Sequence, residues 1–298
     1  MGEGLSELAV PFSYGYMLRA MWVSALVGGV CAFLSAYLML KGWSLMGDAL
    51  AHSIVPGVAA AAIMGAPFAV GAFLAGILAS LAMYFVKQQS RLREDAVIGL
   101  VFTALFALGL LMASLWPQSV SIQTIVLGNI LAIADEDVTQ VAIISGISLA
   151  VLLLLWKDLM ATFFDESHAR AIGIRTGLLK GVFFVLLSAC TVAALQTVGA
   201  CLVIAMVVTP GATAYLLTDR FGRLIAISVA VGAGTSFVGA YLSYFLDGAT
   251  GGVIVTLQTL VFLAAFFLAP KHGMLAARRR SRAGTAEGAA ESATGEAA

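Results

Sequence analysis

The sequence predicts an all-α, polytopic membrane protein, a bundle of about eight or nine transmembrane helices. Three observations carry that reading. Hydrophobic residues make up 61% of the 298 and charged residues only 11%, whereas soluble domains carry about 25% charged residues. Apolar runs of about 18 residues or more, long enough to cross a bilayer, recur along the chain. The polar intervals between them alternate: those around 41, 87–93, 157–180 and 220–223 are basic, and those near 65, 117–137, 197 and 247–252 contain no Lys or Arg. Basic loops stay on the cytoplasmic side. The alternation therefore predicts an outer amino terminus, a cytoplasmic carboxyl terminus and nine spans, with Arg19 at the outer end of the first span as a misfit. Eight spans result if a short segment is counted differently.

Residues 1–16 read as an amphipathic lead-in at the membrane surface, with Phe12, Tyr14 and Tyr16 as interface-type aromatics. Glu3 and Glu7, without a basic cluster, make a poor signal peptide, so the first span is expected to be retained. Spans are expected at about 17–40, 44–64, 67–86, 96–116, 138–156, 178–196, 198–217, 224–245 and 253–269, together one transmembrane domain over 17–270. Pro56 and Gly57 interrupt the second, because proline withholds a backbone donor. Residues 116–137 are too polar and too broken for a clean span and fit a re-entrant or interfacial helix. The longest polar interval of the body is 157–177, and the sixth and seventh spans form a tight hairpin. The tail over 271–298 begins basic, with Lys271, Arg278, Arg279, Arg280 and Arg282, and continues in a composition typical of disorder. No internal repeat of 20–50 residues stands out, which excludes a solenoid. Nor is an inverted repeat evident, which weighs slightly against many secondary-transporter folds.

The chemistry concentrates in KGWSLMGDALAHSIVPG (41–57), where Asp48 and His52 stand four residues apart in an otherwise lipid-soluble chain. On a helix both project from one face, a turn apart. A charged side chain at the bilayer centre costs about 2.5–3.5 kcal/mol, so it usually faces the bundle interior or a watery cavity. One reading makes Asp48 the cap of the second span and His52 a satisfied core histidine. The other makes them half of a divalent-cation site, carboxylate oxygen beside imidazole nitrogen. The small residues Gly47, Ala49, Ala51, Ser53 and Gly57 let helices approach closely, which suits a site between helices or across a subunit axis. One Asp and one His are too few donors for Mn2+ or Fe2+, and a two-fold dimer meeting here doubles the set. The ligand form is neutral imidazole, so protonating His52 should weaken the site.

DESHARAIG (165–173) reads as a short amphipathic helix, with Ala169, Ile172 and Ile174 apolar and Asp165, Glu166, His168 and Arg170 polar. It is either a solvated loop helix or a docking helix for a soluble partner. His168 and His272 are poor ligand candidates, having no carboxylate at fixed depth. Thr209, Pro210 and Gly211 break the seventh span, as a static kink or as a moving gate. Gln123 and Asn129 either line an outer vestibule or satisfy backbone groups of the re-entrant segment. Cys31, Cys190 and Cys201 all lie in apolar runs without a CxxC pair, so no disulfide framework or thiolate site is indicated. The chain has no GxxxxGK[ST], HExxH or GxSxG motif and no basic-aromatic surface for nucleic acid.

KGWSLMGDALAHSIVPG, SIQTIVLGNILAI, FFDESHARAIGI, LQTVGACLVIAMVVTPGATAYLLTDR and YLSYFLDGATGG occur in this order. They resemble the signature segments of bacterial ABC-type zinc/manganese/iron importer permeases. The similarity runs from about Pro11 to Arg280 and is strongest to the manganese/chelated-iron (Yfe/Sit-type) branch. The resemblance implies a transmembrane permease domain of the ABC importer type, multi-pass in the bacterial inner membrane, paired with a second permease, identical or paralogous. It also implies a cytoplasmic ABC ATPase dimer and a periplasmic or lipid-anchored metal-binding protein. Asp48 and His52 match the family's metal ligands in the translocation path. Asp165, Glu166, His168, Ala169, Arg170 and Gly173 match its cytoplasmic coupling helix. By this reading the chain is no enzyme and holds no permanent cofactor; Mn2+, Fe2+ or Zn2+ is cargo. A zinc importer permease of the same family stays open, because Zn2+ outcompetes Mn2+ at most N/O sites. So does an ATPase-independent channel or carrier, although it leaves the 165–173 helix without a purpose. A membrane metallohydrolase needs a third fixed ligand and a general base, and neither is evident.

Overall fold

A computed structural model describes residues 10–43, 45–116 and 135–269. The expected re-entrant segment with Gln123 and Asn129, most of the lead-in and the tail lie outside the described residues. The regular elements are α1 (Gly15–Lys41), α2 (Met46–Ser53), α3 (Val55–Met64), α4 (Phe68–Gln89), α5 (Glu94–Leu115), α6 (Asp135–Phe164), α7 (Glu166–Ala171), α8 (Thr176–Val198), α9 (Ala200–Leu217), α10 (Phe221–Leu246) and α11 (Thr250–Leu268). Among the described residues eight segments are long and apolar enough to cross a bilayer, with α2 and α3 counted together as Met46–Met64. The apolar part of α9, Val203–Leu217, is shorter. These nine elements fall on the nine expected spans.

Helix α1 is the hub. It is buried along most of its length, from Met17 to Leu38, and packs against α6, α8, α9 and α10. A long, predominantly apolar helix buried over most of its length is what a bundle centre requires. At the basic end of the bundle, Tyr37 of α1 is fully buried and donates its hydroxyl to the Trp156 carbonyl at 2.9 Å. Its ring meets Phe33, Phe163, Phe183 and Phe221, with centroids 5.0–6.0 Å apart. This cluster corrects one boundary. The fifth span does not stop near 156; α6 runs to Phe164 because Leu159 and Phe163 still face the core. The first half of the 157–177 interval is thus helix, and only its second half carries the loop.

The second span breaks after His52, at Ile54, rather than at Pro56 and Gly57. Pro56 is the second residue of α3 and has no N–H for the carbonyl four residues back, that of His52; the Ile54 N–H turns to it instead. Beyond the break, α3 and α4 cross at Gly57 and Gly71, where an added Cβ on either would overlap the other's carbonyl oxygen. Gly71→Ala should therefore push the pair apart and cost about 1–3 kcal/mol. The purified protein should melt several degrees lower, which a tryptophan-fluorescence melt checks.

Candidate functional site

Asp48 and His52 lie on α2, whose eight residues end where Pro56 forces the break. Asp48 stands in the first turn, but the cap position belongs to Leu45 and carries no side-chain hydrogen bond. Instead the Asp48 carboxylate lies 3.1 Å from His52 Nδ1, and the Asp48 carbonyl oxygen is also 3.1 Å from that nitrogen. With oxygen acceptors on both contacts, Nδ1 is the N–H of the neutral ring, which leaves Nε2 and the second carboxylate oxygen as the donors open to an ion. The carbonyl end of a helix carries partial negative charge, and the ends of broken membrane helices are recurrent cation sites. Both properties follow from the position of Pro56.

The His52 ring is held edge-on by Phe102 and Phe106 of α5, at 5.5 and 5.3 Å between centroids. Sequence reasoning missed these two, although their four-residue spacing on one helix face was visible. On the other side Gly47 lets α2 lie against Val207 of α9. The pair is only part-buried, His52 at 22% and Asp48 at 36% side-chain exposure. It therefore opens onto a surface of the single chain. Among the described residues no group of three or more His, Cys, Asp and Glu side chains is assembled, so within them Asp48 and His52 stand as a pair.

Helix α9 continues through Pro210. Ser35 of α1 splints it: its Oγ donates to the Val208 carbonyl at 3.1 Å and accepts the Gly211 N–H at 3.0 Å. The Thr213 hydroxyl donates to the Thr209 carbonyl at 2.8 Å. The expected break of the seventh span at Thr209–Pro210–Gly211 is therefore absent: the helix runs from Ala200 to Leu217, with Ser35 and Thr213 serving backbone groups around the proline. Ser35→Ala should remove both of these hydrogen bonds, at a cost of about 0.5–1.5 kcal/mol each, seen as a lower melting temperature that Ser35→Thr restores in part.

The loop between α6 and α8 is built around α7. Asp165 caps it, accepting from the Ser167 and His168 N–H groups at 2.9 and 3.0 Å. Ala169 is buried beneath, and Gly173 ends the loop at φ +87°, a left-handed conformation that suits glycine. Glu166 pairs with Arg170 on its own helix and with Lys180 on α8. His168 faces outward without an acidic cluster. Ile172 departs from the expected amphipathic pattern: it is 59% exposed, and Phe164 at the end of α6 is exposed as well. The hydrogen bond from Lys180, aided by Arg170 against partial burial, holds the Glu166 carboxyl below its ordinary value of 4.5. A lowered folded value means the loop keeps this stabilisation above 4.5 and loses it as pH falls through the lowered value. Hydrogen exchange of the α7 amides, corrected for intrinsic rates, should show that acid step, and Glu166→Gln should remove it.

The model of the ABC 3 transport family matches residues 13–269. The chain is 69% identical over 278 residues to the chelated iron transport system membrane protein YfeC of Yersinia pestis, covering 93% of this chain and 95% of that one. It is 48% identical over 277 residues to the manganese transport system membrane protein MntB of Synechocystis sp., covering 93% and 90%. Its fold is similar to that of PsaBC from Streptococcus pneumoniae, solved in complex with Fab. The TM-score is 0.80 at 33% identity, over 90% of this chain and 97% of the solved one.

Proposed function

We propose, for a chain that belongs to the ABC 3 transport family, that it is the membrane permease subunit of an ATP-driven importer of Mn2+ and/or Fe2+. The observation that carries the cation reading is the Asp48–His52 pair, spaced at 3.1 Å on the end of a broken helix and open on one side. A second permease, identical or paralogous, brings further donors across an axis at α2. The choice of ion follows the chelated iron and manganese transport proteins that the chain is similar to.

In this reading the basic end of the bundle and the carboxyl terminus are cytoplasmic, the membrane is the bacterial inner membrane, and a periplasmic or lipid-anchored protein delivers the ion. The ATPase dimer docks on α7, where Phe164 and Ile172 offer exposed apolar surface. Closure of the ATPases moves α7, and the Glu166–Lys180 pair and the aromatic cluster around Tyr37 pass that motion to α8 and α1. The spans around Asp48 and His52 then change the side on which the ion is accessible. The Thr209–Pro210–Gly211 segment, splinted by Ser35, serves as a rigid joint in that movement rather than as the gate itself.

The test is accumulation of radioactive manganese, iron and zinc in cells stripped of their own importers, expressing this chain with its companion ATPase and binding protein. Manganese or iron uptake that stops when the ATPase is inactivated supports the reading. Zinc-only uptake reassigns the cargo, and uptake without any ATPase overturns the class.

A further inference from the structure

Helix α5 meets the broken second span at two levels. Phe102, Phe106 and Gly109 follow one another at spacings of four and three, so they share one face of α5. Phe102 and Phe106 each contact the His52 ring, at 5.5 and 5.3 Å between centroids and at interplanar angles of 76° and 78°. The two phenyl rings also stack on each other, 6.1 Å apart and 26° from parallel, and Phe102 packs against the buried core. Less than a turn further along, Gly109 brings the α5 backbone onto the break itself: an added Cβ would lie 2.8 Å from the Pro56 nitrogen and from Val55 Cγ1. One helix therefore bears on the break that ends α2 and on the imidazole that stands at that end.

A phenyl ring has no lone pair to give a metal ion, so these residues act on a cation through His52. The imidazole is already tied at Nδ1, which faces the Asp48 carboxylate and the Asp48 carbonyl, both at 3.1 Å. Contacts at one nitrogen still let the ring swing, and a swing displaces the open Nε2. Two flat, stiff rings met at near right angles close off that movement. A binding constellation works only when it is held within about 0.5 Å and 10–20° of its productive geometry by neighbours whose own rotamers are locked. We propose that Phe102 and Phe106 are positioning residues for the cation, holding the His52 imidazole so that Nε2 faces the ion. The inference rests on the reading of Asp48 and His52 as cation ligands, and it adds two residues of α5 that set how tightly the ion is held.

The test titrates Mn2+ into the full chain assembled with its partner permease and ATPase, and reads the bound ion by the electron spin-echo modulation that a coordinated imidazole nitrogen produces. The native chain should show that modulation and His52→Ala should lack it. Phe102→Leu with Phe106→Leu keeps both positions apolar but removes the rings. It should weaken Mn2+ binding about ten-fold and broaden or abolish the nitrogen modulation. Phe106→Leu alone, at the ring outside the core cluster, should show the same changes in smaller measure with less disturbance of the fold. Phe102→Tyr with Phe106→Tyr retains the rings and should retain both affinity and modulation. Native affinity and unaltered modulation in the leucine variants overturn the proposal. Weaker binding with unaltered modulation assigns the rings to packing and overturns it too. Modulation that is missing from the native chain, or that survives His52→Ala, instead rejects His52 as a ligand, and with it the reading on which this inference rests.

Discussion

Cells expressing Asp48→Ala or His52→Ala should accumulate no metal above background, with the amount of protein in the membrane unchanged. Each substitution removes one donor of the Asp48–His52 pair, and in a site shared across an axis with an identical partner it removes the equivalent donor there too. Loss of a group that merely orients a ligand costs about 10–100-fold in affinity, and loss of the ligand itself exceeds that. The fold should survive, because both side chains are part-exposed and removing Asp48 relieves a costly carboxylate at membrane depth. Asp48→Asn separates the readings. It keeps the shape and an oxygen facing His52 Nδ1, so a purely structural pair tolerates it, while a cation site loses its only negative charge. Uptake that persists in Asp48→Asn and in both alanine variants would make the pair structural and defeat the central proposal.

The spans were legible because lipid leaves little latitude: each crossing needs a long, predominantly apolar run, and the loops sort by charge. What the pattern hid lies where tertiary packing decides. Lys157 and Asp158 make the end of α6 read as loop, yet Leu159 and Phe163 keep it helical by filling the core around Tyr37. The break in the second span was expected from Pro56, but its position after His52 follows from the carbonyl that proline fails to serve. That shift of a few residues puts His52 at a helix end instead of mid-helix. The Ser35 splint joins residues 173 and 176 positions apart, and no local reading of VVTPGAT reveals a partner that distant. Ile172 fits an apolar face in periodicity but points outward, because Gly173 ends the loop's helical geometry directly after it.

Severing α7 from α8 should uncouple transport without harming the Asp48–His52 site. Glu166→Ala removes the acceptor for both Arg170 and Lys180 and leaves Lys180, only 20% exposed, as a poorly solvated cation. Two effects are then mixed, a local charge penalty and a lost mechanical link. The double change Glu166→Ala with Lys180→Met resolves them, because it removes the stranded charge and leaves the link broken. If the pair transmits ATPase motion, uptake falls about ten-fold in both variants, within the usual range of coupling between sites. Metal binding by the purified permease stays intact, and ATP hydrolysis by the assembled complex no longer responds to the metal-loaded binding protein. If the pair only stabilises the loop, the double variant recovers uptake and melting temperature together. Recovery of both would strip the Glu166–Lys180 contact of its coupling role and leave Phe164 and Ile172 as the surface through which α7 meets its partner.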